Sequence, residues 1–176
     1  RSVFGSCGTQ TAGLAFGGQP GDTTATEEYN GSSWTAGGNL GTAVYANAGA
    51  GIQTSALSFG GNHRPPITAQ TEGYDGSSWS SRPNLGTAIL QHAGAGASNA
   101  AAVSFGGYTT TQTAATEEFN SSINVITAAA WASGGALNNA TRGGAGIGTR
   151  DAAVAAGGIT GSPNPAGPGR PGLSEE

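Results

Sequence analysis

The chain has no lysine and no methionine, a single cysteine (Cys7), two histidines and only 9% charged residues among 176. Each shortage excludes something. One thiol cannot build an internal disulfide framework or a multi-cysteine metal site. Six scattered arginines against ten acids give a net charge of -4 and no basic patch to neutralise phosphates, so nucleic acid is not an expected partner. Apolar runs reach only about five residues, where a spanning helix needs roughly 20, and no signal peptide is visible; the expectation is a soluble chain without membrane insertion. The start at Arg1 and the lack of any Met suggest a processed product or part of something longer.

Glycine, by contrast, is abundant at 33 residues, a composition that alone would fit a disordered low-complexity chain. Two features argue otherwise. Aromatic residues recur at fixed offsets, and the runs Ala12 to Phe16, Ala56 to Phe59 and Ala101 to Phe105 supply a core. The glycines then read as turns.

Self-alignment brings together Phe16-Gly17-Gly18, Phe59-Gly60-Gly61, Phe105-Gly106-Gly107 and a decayed Ala156-Gly157-Gly158, spaced by 43, 46 and 51 residues. A second landmark, ending in Tyr29, Tyr74 and Phe119, recurs every 45 residues as Thr26-Glu27-Glu28, Thr71-Glu72-Gly73 and Thr116-Glu117-Glu118. Trp34, Trp79 and Trp131 follow, then Gly38-Asn39-Leu40, Pro83-Asn84-Leu85 and Gly135-Ala136-Leu137. With Ala48-Gly49-Ala50-Gly51 and Ala93-Gly94-Ala95-Gly96 after them, five landmarks keep one order. Each unit holds about four short runs divided by turn signals and shows no sustained 3.6-residue period, so four strands per repeat are expected. In the middle unit they fall near residues 44–50, 54–60, 68–75 and 78–82. A four-stranded sheet of about 45 residues is one propeller blade.

The fold class is therefore all-β, a β-propeller with about three and a half blades in this chain: residues 1–40, 41–85, 86–137 and a half blade over 138–158, followed by a Pro/Gly-rich tail or linker at 159–176. The tail carries Pro163, Pro165, Pro168 and Pro171 and reads as an extended arm. A closed propeller needs four to eight blades, so the end faces require a cover. Two copies completing a ring of six or seven blades, a longer parent chain, and filament-like stacking all remain open.

A small-apolar strand ending in Gly-Gly, a strand ending in Tyr-Asn or Tyr-Asp and a Trp shortly after resemble the kelch motif over residues 1 to about 158. The tandem Ala-Thr-Glu-Glu-Tyr-Asn-Gly-Ser-Ser-Trp and Gly-Gly-Asn-Leu-Gly-Thr-Ala resemble repeats of marine bacteriophage tail and virion-associated proteins. That resemblance implies a viral structural setting. The third repeat departs most, with an insertion around Ser122 to Ala130.

Physical roles follow for the repeated positions. The paired glycines end a strand where positive φ or close approach forbids a Cβ. Phe16, Phe59 and Phe105 point into the layer between blades. Tyr29, Tyr74 and Phe119 share a face with Glu27, Glu72 and Glu117. The tryptophans anchor the outer half of each blade, and truncating such a buried aromatic costs roughly 3–5 kcal/mol. The repeated glutamates are expected to accept backbone N–H bonds at turns; the arginines are too few to pair with them.

No catalytic site is expected. The copper site of the galactose oxidase family, also built on kelch-like blades, needs two tyrosines, two histidines and a cysteine cross-linked to a tyrosine. Cys7, Tyr29, Tyr45, Tyr74, Tyr108, His63 and His92 lack that family's sequence context; His92 reads as a partly buried channel residue and His63 as a solvated loop residue. The Asp75-Gly76-Ser77-Ser78-Trp79 segment is one residue shorter than the sialidase Asp-box and has no arginine cluster beside it. No cofactor and no metal are expected.

Binding belongs instead to the loops between second and third strands, which share one end of the blades with the blade-to-blade linkers and differ between repeats: Gln19 to Thr24, Asn62 to Ile67 and Tyr108 to Thr113. Gln19, Asp22, His63, Arg64 and Tyr108 are the candidate ligand-binding residues. The expected role is a non-enzymatic virion or extracellular surface component that contacts a host glycan, neighbouring virion proteins or copies of itself. The alternative is a fragment of a carbohydrate-active enzyme, galactose-oxidase-like or sialidase-like, whose active site lies elsewhere.

Overall fold

The computed structural model describes residues 1–63, 66–121, 130–137, 141–150 and 152–160. Three four-stranded antiparallel sheets follow one another along the chain, each in simple up-and-down order. The first holds β1 (Gly5–Thr9), β2 (Ala12–Phe16), β3 (Thr26–Tyr29) and β4 (Trp34–Ala36). The second holds β5 (Ala48–Ile52), β6 (Ser55–Phe59), β7 (Thr71–Tyr74) and β8 (Trp79–Arg82). The third holds β9 (Ala93–Ser98), β10 (Ala101–Phe105), β11 (Thr116–Asn120) and β12 (Ala130–Ser133). A fourth unit consists of the hairpin β14 (Ala145–Thr149) and β15 (Ala152–Ala156), flanked by the short pair β13 (Thr141–Arg142) and β16 (Ile159–Thr160). No helix occurs among the described residues, and the architecture is the expected one: all-β, an open propeller of three blades and a half.

Boundaries match the four-run reading to within a few residues. β5 starts at Ala48 rather than residue 44, because 44–47 is a crossing segment whose Tyr45 pairs with Asn62. Ordered pairing continues through Thr160, two residues into the segment read as tail; residues 161–176 lie outside the described part.

Blades stack face to face, and side-chain alternation decides what each face carries. Leu14 and Phe16 point forward onto Ala56 and Tyr74 of the second blade, with Leu40 and Val44 of the linker closing the layer. One junction further on, Leu57 and Phe59 meet Ala102 and Phe119 under Leu85 and Ile89. Val103 and Phe105 repeat the pattern towards the half blade, with Leu137 packed against them. Phe16, Phe59, Phe105, Tyr74 and Phe119 are all buried, so the expected cost of truncating them stands.

Close approach of the inner strands explains their glycines. A Cβ on Gly49 would lie 2.6 Å from Phe16 Cζ; on Gly94, 2.5 Å from Phe59 Cζ; on Gly146, 2.7 Å from Phe105 Cζ. The first glycine of the Phe-Gly-Gly landmark is equally constrained: Gly60 sits at φ 62°, and a Cβ there would meet His92 Cε1 at 2.5 Å. A second inter-blade device is made of backbone alone. Val3, Ala46 and Gln91 start successive blades at φ 53°, 54° and 52°, and Gly143 does so at 68°. They form a ladder, Ala46 N donating to Val3 O at 2.8 Å, Gln91 N to Ala46 O at 3.0 Å and Gly143 N to Gln91 O at 2.7 Å. The tips of the inner hairpins latch backwards too: Gln53 Nε2 donates to the carbonyls of Gly13 and Tyr29, and Asn99 Nδ2 to that of Tyr74.

The tryptophans behave differently from the expectation. Trp79 reaches backwards to the preceding blade, its Nε1 donating to Thr26 Oγ1 at 2.9 Å and its ring 4.8 Å from that of Phe16. Trp34, at the same position of the first blade, has no blade behind it and is 52% exposed, stacked only on its own Tyr29 at 5.1 Å. Trp79 thus binds the junction as well as its own blade, where its ring lies 4.9 Å from that of Tyr74, and Trp34 is no buried anchor. The side chain of Trp131 lies outside the described part.

Candidate functional site

The end of the blades that carries the second-to-third-strand loops is built by local pairing. Ser2 and Gln19 exchange backbone hydrogen bonds at 3.0 and 2.9 Å, Tyr45 and Asn62 at 3.1 and 2.8 Å, and Leu90 and Tyr108 at 3.0 and 2.9 Å. In each blade a residue just after the double glycine is thereby pinned to the strand-like start of a blade, and the loop beyond it projects outward. The frame repeats while the loops do not.

Gln19 is half-buried, precedes a cis peptide to Pro20, and uses its backbone for the Ser2 pairing. Asp22 is half-buried at φ 40°. His63 is exposed, as expected of a loop residue, and its Nδ1 lies 2.7 Å from the carbonyl of Ala43, which makes Nδ1 the donor. Arg64 lies outside the described residues. Tyr108 is half-buried beneath the guanidinium of Arg142, which stands 5.9 Å from its ring centroid. Among the described residues no hydrogen bond joins Gln19, His63 and Tyr108; they share an end of the blades but come from three different blades. Arg142 is the residue the sequence reading missed, and its signal was an arginine in a linker that otherwise carries Val44-Tyr45 and Ile89-Leu90.

His92 sits elsewhere than expected. It is buried at a blade junction, its ring 5.5 Å from that of Phe59, and not in the channel. Burial pushes its pKa down to about 3, so the imidazole is neutral at physiological pH. The channel-side groove, about 150 Å³, is lined mainly by small residues including Ser6, Cys7, Gly49, Gly94 and Gly146. Burial pushes the Cys7 thiol up to about 12, which leaves it protonated and a poor nucleophile or ligand.

The glutamates do what was expected at two blades. Glu72 accepts from the backbone N–H of Gly41 and Thr42 at 2.8 and 3.1 Å, and Glu117 from Gly86 and Thr87 at 2.7 and 3.1 Å, so each carboxylate holds the linker that leads into its own blade. At the first blade the partner is a guanidinium: Arg1 pairs with Glu27 and also donates to the carbonyls of Ala25 and Ala15. An open groove of about 520 Å³ runs over this face, lined by Arg1, Phe4, Ser6, Ala15, Glu27 and Trp34. At the opposite end of the blades the Asp75 carboxylate caps its own turn; backbone N–H bonds from Ser78 and Ser77, with their hydroxyls, hold its pKa down at about 2. That is a structural role, most of its bonds gathered on Oδ1.

Among the described residues no three His, Cys, Asp or Glu side chains converge as a metal site would require. No protein-family model matches the chain, and no curated protein matches it significantly.

Proposed function

We propose that the protein is a non-enzymatic structural or binding component of a virion, tail- or capsid-associated, or of another extracellular surface, with the loop end of its blades contacting a host glycan or a neighbouring protein. The observation that carries this reading is the contrast between a frame fixed by repeated backbone pairings and three loops that share one end yet differ in every blade. Variation confined to loops on a rigid scaffold is the usual signature of recognition. The exposed His63 and the Tyr108–Arg142 stack offer stacking surfaces and hydrogen-bond donors of the kind that sugar hydroxyls use. Low charge and the resemblance of the repeat to marine bacteriophage tail proteins support the setting.

A glycan microarray probed with labelled protein, followed by chromatography of each bound glycan after prolonged incubation, tests this. The expected result is retention without turnover, weakened by Tyr108→Ala and Arg142→Ala. Conversion of a bound glycan would overturn the non-enzymatic reading; binding that survives both loop variants would overturn the placement of the site.

A further inference from the structure

The junction between the first two blades contains a receptor for a tyrosine hydroxyl. Tyr74 Oη donates to Glu28 Oε1 at 2.5 Å and accepts from the backbone N–H of Gly38 at 3.4 Å. The receptor needs room: a Cβ on Gly37 would lie 2.9 Å from that hydroxyl and 3.1 Å from Glu28 Oε1. Its parts are therefore one glutamate on the third strand and the Gly-Gly pair after the fourth, together with Thr26 Oγ1, which accepts from Trp79 Nε1.

At the next junction the parts that hold the hydroxyl change together. The arriving residue is Phe119, with no hydroxyl; Glu28 is replaced by Gly73, and Gly37-Gly38 by Arg82-Pro83, while Thr71 stands where Thr26 does. On the forward face of the third blade the receptor returns complete: Glu118, Gly134-Gly135 and Thr116. Glu118 also adopts the receptor arrangement, its Oε1 lying 3.4 Å from where a Gly134 Cβ would stand, next to Thr116. Glu118 is exposed and Thr116 half-exposed, whereas Thr26 and Thr71, covered by a following blade, are buried.

Beside this receptor lies a free strand edge. β2, β6 and β10 each pair on their outer side with a third strand, but β15 pairs only with β14 among the described residues, and all five of its residues are exposed. The forward face of the β14–β15 hairpin is apolar, with Val154 58% and its cross-strand partner Ile147 71% exposed. We propose that this corner of the molecule is a docking site for a β-hairpin of the repeat's own type, Thr-x-x-Tyr-(Asn/Asp)-Gly-Ser-Ser-Trp, supplied by another polypeptide. Its first strand adds to the edge of β15, its tyrosine hydroxyl enters the Glu118–Gly135 receptor and its tryptophan indole bonds Thr116. The warrant is continuity with the observed junction, where Tyr74 and Trp79 make these two contacts. The chain's own tail does not fit: residues 161–176 contain four prolines, which cannot donate to a ladder, and neither tyrosine nor tryptophan.

The test is titration of the full chain with a fluorescently labelled synthetic peptide of residues 68–82, read by anisotropy. Saturable binding is expected; Tyr74→Phe in the peptide or Glu118→Gln in the protein weakens it by roughly 10- to 100-fold, the size of a lost hydrogen bond to a charged group, while Glu27→Gln on the first blade leaves it unchanged. Because isolated hairpins are marginally stable, a chimera carrying residues 60–82 after Ala156 supplies the second readout: its melting temperature rises above that of the parent, and Glu118→Gln removes part of the gain. Absence of both peptide binding and stabilisation, or effects indifferent to Glu118→Gln, overturn the proposal.

Discussion

Removing one hydroxyl, with Tyr74→Phe, interrogates the blade-to-blade contact most directly. Tyr74 is fully buried, and its hydroxyl bridges from the second blade to Glu28 at 2.5 Å and Gly38 on the first. A hydrogen bond to a charged group is worth about 1.5–3 kcal/mol, and the lower part of that range applies because Glu28 is half-exposed and can be rehydrated. A loss of about 1.5–2 kcal/mol corresponds to a fall of about 3–8 °C in melting temperature for a chain of this size. Urea unfolding is the assay, followed by tryptophan fluorescence, since Trp79 lies 4.9 Å from the Tyr74 ring. A double-mutant cycle with Glu28→Gln should return a coupling of about 1 kcal/mol. Alkaline pH adds an independent check. Burial, with the bond to Glu28 as a second cause, pushes the phenol up to about 12 from the ordinary 10. The folded value is the higher one, so this contribution is complete below pH 10 and is lost as pH rises from 10 to 12. The Phe variant lacks that difference. A Tyr74→Phe protein within about 0.5 kcal/mol of the parent, with no coupling to Glu28, would refute the reasoning.

Trp79→Ala should cost about 2–4 kcal/mol in the same assay and Trp34→Ala less than about 1 kcal/mol, because only Trp79 has a blade to pack on; equal costs would contradict the backward-reaching role. Gly94→Ala places a Cβ 2.5 Å from Phe59 Cζ and 2.9 Å from Gly49 O, and an overpacking cost of about 1–3 kcal/mol is expected by calorimetry. His92 is held neutral, at about 3, against an ordinary 6.5; its folded value is the lower one, so stability is full above pH 6.5 and falls as pH drops towards 3. His92→Asn, which copies Asn47 of the preceding blade, should flatten that acid limb in pH-dependent melting curves.

The strand count, the sheet order and the buried phenylalanines were legible because each rests on a local pattern repeated several times: a period-2 run, a Gly-Gly stop, an aromatic at fixed offset. What escaped was the direction in which a side chain reaches. Trp34 and Trp79 both follow Gly-Ser-Ser, yet one is exposed and the other bonded to Thr26, a difference fixed by the neighbouring blade. His92 looked like a channel residue because it begins an inner strand; the left-handed Gln91 before it turns its ring into the junction instead. At the candidate binding end, the divergent loops could be read from the alignment, but the Tyr108–Arg142 stack joins residues 34 positions apart and carries no periodic signal. The Tyr74–Glu28 receptor was readable in principle, since Tyr with Glu gives way to Phe with Gly at the next junction.

The ladder through Val3, Ala46, Gln91 and Gly143 asks nothing of any side chain beyond tolerance of a left-handed backbone. A valine, an alanine, a glutamine and a glycine all serve. Adhesion between blades is therefore partly indifferent to mutation, and a duplicated or recombined repeat inherits it on arrival. Compatibility of one repeat with the next is then left to a few matched side chains, so this architecture can be lengthened, shortened or reshuffled by gene rearrangement while its loops drift.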